Sequence, residues 1–219
     1  GMEGEVFSLI GPKRFDVPWK EIESQGYIAP AECIEIRATL SETERLSYAT
    51  AEVEEKYRMC ATTATKTKVV QALVEKHADD QVLVIGQYIS QLDELSEKLG
   101  VPVIKGETPV KEREELFAAF RTGEIKCLVV SKVANFSIDL PDATIAIQVS
   151  GAFGSRQEEA QRLGRILRPK SDGRSARFYS VVSRDTVDQD FAQNRQRFLA
   201  EQGYSYKIID ADDVFQGKL

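Results

Sequence analysis

The feature that most constrains this sequence is a series of short, continuous apolar runs. They are Gln81–Gly86 (QVLVIG), Val101–Gly106 (VPVIKG), Lys126–Ser131 (KCLVVS), Thr144–Ser150 (TIAIQVS) and Ala176–Ser183 (ARFYSVVS). Runs of this length, rich in Val and Ile, are expected of strands covered on both faces. Helical patterns lie between and around them. Thr65–His77 precedes the first run and Ser90–Leu99 follows it, with Ser90 and Asp93 as a capping pair. Thr108 reads as the cap of a helix with Pro109 in its first turn. That helix carries Leu116, Phe117 and Phe120 on one face and ends near Gly123. Further helices are expected over Arg156–Leu167, stopped by Pro169, and over Thr186–Gln202, stopped by Gly203. Strands alternating with helices imply an α/β domain with a mostly parallel sheet and helices on both faces.

The stretch before Thr65 is of a different kind. Ala31–Leu40 partly alternates and reads as a strand. Ser41-Glu42-Thr43-Glu44 is a capping-box pattern that opens a charged helix running to about Cys60. Residues 1–64 are expected to form an arm or added layer packed on a domain of residues 65–219. So few large apolar groups would make a thin core by themselves. Gly1-Met2 reads as a remnant before a starting methionine, so the chain is expected to be a piece of something longer.

Composition excludes several classes. No apolar run approaches the roughly 20 residues of a membrane span. The three cysteines, Cys33, Cys60 and Cys127, are far apart and form no C-x-x-C pair, which argues against a disulfide framework and a zinc site. Cys127 reads as a buried small hydrophobe, and the compartment as reducing, hence cytoplasmic. The single histidine, His77, is expected at a surface or helix end.

The chain's formal net charge is −6, which disfavours a generally basic nucleic-acid coat. Residues Gly154 to Phe178 run against that balance, with six Arg and one Lys against three acids. A basic helix on an acidic body directs a field at an anion. Arg165 and Arg168 are three apart, so both forks can leave one helix face, and Gln161 lies four before Arg165 on the same side. Guanidinium forks match phosphate oxygens and can stabilise a transferring phosphoryl group. From charge alone, a solvated helix with pairs such as Glu158 to Arg162 is an equally open reading.

Ligands of an open parallel sheet sit beyond the carboxyl ends of its strands. Two loops there carry polar groups. Gln87 to Ser90 follows the first run, and the start of the next helix offers N–H groups to a phosphate. Ser131 and Lys132 open a second loop that reaches Asp139 and Pro141 without a helix. Asp139 can cap that turn or accept hydrogen bonds from a ribose. There is no G-x-x-x-x-G-K-[ST] loop and no D-E-x-[DH] run, so the chain has phosphate-directed arginines without a P-loop cradle. Nor does any strand lead into G-x-G-x-x-G, which disfavours a nicotinamide site.

This combination resembles the second RecA-like lobe of superfamily-two helicases. Gln161 to Arg168 resembles motif six, Q-R-x-G-R-x-x-R, and Ser131 to Asp139 resembles motif five. QVLVIG with Gln87–Leu92 resembles motif four, and Arg113, Phe117, Phe120 and Gly123 fit the helix between motifs four and five. Ser131-Lys132-Val133, Ser137-Ile138-Asp139-Leu140-Pro141 and Gly154 through Arg165 are similar to the XPB family of DNA repair helicases. So are Gly26-Tyr27-Ile28-Ala29, Gln202-Gly203-Tyr204 and Lys207-Ile208-Ile209. Ala134-Asn135-Phe136 departs from the small and acidic residues usual there.

The resemblance implies a RecA-like three-layer fold and a 3′-to-5′ DNA translocase that uses ATP and Mg²⁺, both bound mainly by a first lobe. It implies that Arg165 and Arg168 reach the γ-phosphate across the lobe interface, helped by Gln161, with Gly164 beside them at the nucleotide. Asp139 would meet the ribose. Gln87, Ser90, Ser131 and Lys132 would hold phosphates of the tracked strand. The implied partners are DNA, the first lobe of the same protein, and a repair nuclease or transcription factors, in a nucleoid or nucleus. A lobe from a restriction-type or remodelling translocase, and a non-catalytic nucleic-acid-binding module, are the competing readings.

Overall fold

The computed structural model describes residues 31–132, 143–151 and 175–219, with Leu167 and Gly173. In chain order, the elements are β1 (Ala31–Ala38), α1 (Glu42–Thr50), α2 (Val53–Ala61), α3 (Ala64–Lys76), β2 (Val82–Gly86), α4 (Ile89–Leu99) and β3 (Val103–Ile104). They continue with α5 (Val110–Thr122), β4 (Cys127–Ser131), β5 (Ile145–Gln148), β6 (Ala176–Ser183), α6 (Val187–Glu201), β7 (Ser205–Asp210) and α7 (Ala211–Phe215). The seven strands form one sheet in the order β3-β4-β2-β5-β6-β1-β7. Every pairing between them is parallel. No described helix is long and apolar enough to cross a membrane.

The two-residue period of the strands divides the core between the two faces of the sheet. Leu83, Ile85, Leu128, Val130, Ala146 and Phe178 point to one face, where Phe117 and Phe120 of α5 and Phe198 and Leu199 of α6 cover them. Val82, Val84, Val129, Ile145, Ile147 and Tyr179 point to the other, under Val69, Val70 and Leu73 of α3 and Leu92 and Leu95 of α4. Each fully buried side chain of this kind contributes about 1.5–3 kcal/mol. Both faces are filled, which is why the central strands read as continuous apolar runs.

The structure departs from the sequence expectations at particular places. The strand at Ala31–Ala38 lies inside the sheet, hydrogen-bonded to β6 on one side and β7 on the other. The segment expected as an outer arm therefore supplies an interior strand. The capping box at Ser41 is present: its hydroxyl accepts from Glu44 N–H, and the Glu44 carboxylate accepts from Ser41 N–H. The helix it opens ends at Thr50, not near Cys60. The Thr50 hydroxyl bonds back to the Leu46 and Ser47 carbonyls, Ala51 is extended, and α2 starts afresh at Val53.

Ser90 does not cap its helix; Tyr88 stands at that position, and no side chain closes the helix start. Thr108 instead closes a turn with Lys105, accepting its N–H at 2.8 Å, and Pro109 is the cap residue of α5. Strand β7 went unexpected because it is an edge strand whose pattern is mostly exposed. His77 ends α3 as expected, yet it is buried, held by Asp80 at 2.8 Å and Tyr179 at 2.7 Å.

Candidate functional site

Parallel strands all leave the sheet on one side, so their carboxyl ends gather the polar segments that follow them. Of the residues singled out in the sequence, Gln87, Ser90, Ser131 and Lys132 fall within the described residues and lie at this end, Gln87 and Ser90 after β2, Ser131 as the last residue of β4 and Lys132 just beyond it. Gln161, Gly164, Arg165, Arg168 and Asp139 lie outside the described residues.

Ser150, just beyond β5, ties these ends together. Its hydroxyl accepts the Gln87 N–H at 2.9 Å and donates to the Gln91 side-chain oxygen at 2.7 Å. The Gln91 amide then donates to the Ala61 carbonyl at the end of α2. One serine thus joins the β2–α4 turn to the end of β5. Gly86 makes that approach possible, since a Cβ there would lie 2.8 Å from Leu92 and 2.9 Å from the Ser150 hydroxyl.

Gly151 follows with φ +82°, a conformation that favours glycine. A Cβ on it would meet Gln87 Cβ and Oε1, each at 2.9 Å, and Lys132 Cδ at 3.2 Å. Its carbonyl accepts from the Lys132 ammonium at 3.2 Å and from the Gln148 amide. The Gln87 side-chain oxygen is buried with no hydrogen-bond partner among the described residues.

The four predicted contacts differ in access. Ser90 is exposed and Gln87 is half-buried, both at the uncapped start of α4. Helix starts leave N–H groups without intrahelical partners, and the helix dipole there favours an anion. Ser131 and Lys132 are buried, at 0% and 8% exposure. The Lys132 ammonium is thus turned inward, onto the Gly151 carbonyl among its partners.

Below this layer sits a pair that sequence reasoning missed. Lys66 of α3 is fully buried, and its ammonium lies 2.6 Å from Asp188 Oδ2 and 2.8 Å from the Val149 carbonyl. Burial, with Asp188 nearby, pushes the neighbouring Cys60 thiol up to about 11, so it stays protonated near neutral pH. The readable signal for Lys66 was its place on the apolar stripe of α3, three and four residues before Val69 and Val70. Ser150 and Gln91 gave no such signal. Among the described residues, no cluster of three or more His, Cys, Asp or Glu offers a divalent cation a ligand set.

An all-parallel seven-stranded sheet with helices on both faces is a RecA-like α/β fold. A C-terminal domain of the DEAD-box protein Dbp5 shares the fold, with a TM-score of 0.61 at 17% identity over 87% of this chain and 95% of that one. The family model described as ERCC3/RAD25/XPB C-terminal helicase matches residues 22–218, and the chain belongs to that family. It is 70% identical to the "DNA 3'-5' helicase XPB" of Kineococcus radiotolerans, over 99% of this chain and 39% of that protein. It is 37% identical to the "General transcription and DNA repair factor IIH helicase/translocase subunit XPB/SSL2" of Saccharomyces cerevisiae, over 94% of this chain and 25% of that protein. The chain thus spans about two fifths or less of the length of these relatives.

Proposed function

We propose that the chain works as the second motor lobe of an ATP-dependent, 3′-to-5′ DNA translocase that opens duplex in repair or transcription. In this reading, the carboxyl end of the sheet does two jobs. The start of α4, with Gln87 and Ser90, holds phosphates of the tracked strand. Ser131 and Lys132 hold the phosphates that follow, at the end of β4. Arg165 and Arg168 bind the γ-phosphate that a first lobe presents and neutralise charge as it is transferred. Gln161 and Gly164 place them, and Asp139 meets the ribose. The missing cradle and its Mg²⁺ belong to that first lobe. Its companions would be DNA, the first lobe and a repair nuclease or transcription factors, in the nucleoid or nucleus.

The observation that carries the reading is the Ser150 junction. It connects the turn that would hold DNA to the strand after which Arg165 and Arg168 follow in the sequence. A shift at one is thereby felt at the other, as a motor requires. The 70% identity to a helicase supports the same reading.

The test uses both the chain and the two-lobe protein. The chain alone should hydrolyse no ATP and bind single-stranded DNA weakly, with affinity falling steeply as salt rises. The two-lobe protein should hydrolyse ATP faster when DNA is added. ATPase that follows the isolated chain through purification, or tight sequence-specific binding, contradicts the proposal.

A further inference from the structure

Lysine is almost never fully buried unless it is paired, and Lys66 is buried to 0% exposure. Its ammonium meets two groups, the Asp188 carboxylate at 2.6 Å and the Val149 carbonyl at 2.8 Å. The same Asp188 oxygen accepts the Ser183 N–H at 3.0 Å, and the Ser183 hydroxyl donates to the Cys60 carbonyl. One charge pair therefore links α3, the start of α6, and the ends of β5, β6 and α2.

Stability alone does not call for such a pair. Replacing a buried ion pair by apolar groups is often neutral or stabilising, because desolvation offsets the attraction. What an apolar pair cannot do is hold a carbonyl in a fixed direction. Val149 immediately precedes Ser150, whose hydroxyl takes the Gln87 N–H and gives to Gln91. The ammonium thus fixes the main chain one residue before the junction between the α4 start and the segment leading to Arg165.

We propose that Lys66 is a positioning residue: through the Val149 carbonyl it sets the Ser150 junction and so couples DNA contact to ATP turnover. The inference rests on the motor reading above. The Val149 N–H stays on the Ile85 carbonyl at 2.9 Å, so without the ammonium only the Val149 carbonyl loses its anchor and the peptide leading into Ser150 can turn. A misplacement of about 1 Å can cost roughly 10²-fold in turnover.

The experiment compares the intact two-lobe protein with Lys66→Met and with Lys66→Met/Asp188→Asn. The asparagine oxygen of the double variant still accepts the Ser183 N–H, and no unpaired carboxylate is left if the single variant fails to fold. Melting temperature is measured beside kcat and KM for ATP, with and without single-stranded DNA. The expected result is a folded double variant whose DNA-stimulated kcat falls about ten- to a hundredfold. Its KM for ATP should stay within about twofold, as expected when an interaction acts only in the transition state. A folded double variant with near-normal stimulated kcat overturns the proposal. So does unfolding of both variants, or a large drop in melting temperature with normal turnover per folded molecule, since either assigns Lys66 to stability alone. A wild-type protein without DNA-stimulated turnover overturns the motor reading, and this inference with it. The two failures are therefore distinguishable.

Discussion

The two ends of the sheet are both polar, and they use polarity differently. At the amino end, His77 is wedged between Asp80 and Tyr179, and Arg177 donates to the same Tyr179 hydroxyl at 3.0 Å while pairing with Glu32 at 3.2 Å. A cavity of about 350 Å³ lies beside this cluster, lined by Glu32, Lys76, His77, Asp79, Asp80, Ser175 and Arg177. Arg177 there pairs with Glu32, and His77 with Asp80. At the carboxyl end, a helix start has no side-chain cap and Gln87 keeps a buried oxygen without a partner among the described residues. Gly151 sits there at positive φ. Among the described residues, the amino-end groups named here bond to one another, whereas the start of α4 leaves donors open and Gln87 an acceptor, where ligands of parallel sheets bind.

Substitutions at the two ends should separate accordingly. The largest effect belongs to Arg165 and Arg168. Arginines that complete a phosphoryl-transfer site from outside contribute about 10³–10⁵ in turnover, or about 4–7 kcal/mol of barrier. Arg165→Ala or Arg168→Ala in the two-lobe protein should cut DNA-stimulated ATPase on that scale with little change in ATP affinity. Lys should restore little at either position, because it lacks the planar fork. Steady-state kinetics check this, and near-normal turnover would leave both as solvated surface charges.

Next in size is Gly151→Ala. The new Cβ would press on Gln87 at 2.9 Å in a conformation that L-residues rarely adopt. A cost of about 1–3 kcal/mol in stability is expected, read as a lower melting temperature, with a larger proportional loss of stimulated turnover.

At the amino end, Tyr179→Phe removes the hydroxyl shared by His77 and Arg177. Leaving buried groups without a partner costs about 1–3 kcal/mol. Denaturant unfolding should show that loss, and turnover of the folded protein should not move.

The smallest effect sharpens the contrast most finely. Ser90→Asp places a negative charge at the uncapped start of α4 and should stabilise the helix by about 0.3–1 kcal/mol. The same charge should weaken single-stranded DNA binding across all sequences and lower its salt slope by about one. A gain in stability with a loss in affinity is the expected signature of a phosphate site at that helix start.

The central strands were legible because both of their faces are buried, so apolar residues run unbroken through Val82–Ile85 and Cys127–Val130. Strand β7 was not, because an edge strand with exposed Lys207 and Ile208 carries little apolar pattern. That β1 lies inside the sheet is a matter of pairing with strands more than 140 residues away, which local sequence does not encode. Cap chemistry was legible at Ser41. It misled at Ser90 and Thr108, where the same hydroxyls sit one or two positions from the true helix start. For the candidate site, the strand-end rule pointed to Gln87 and Ser90, and both lie at the carboxyl end of the sheet. The Ser150 junction was hidden, since a serine after a strand takes its meaning only from neighbours brought in by folding.

The most direct test sets one residue from each end side by side in the intact two-lobe protein, with melting temperature and DNA-stimulated kcat measured on the same preparations. Arg165→Ala should keep its melting temperature and lose turnover by about 10³-fold or more. Tyr179→Phe should melt several degrees lower, as about 1–3 kcal/mol implies, and keep its turnover. An Arg165→Ala protein that retains most of its ATPase, or a folded Tyr179→Phe protein that loses it, would contradict the division between a working end and a holding end.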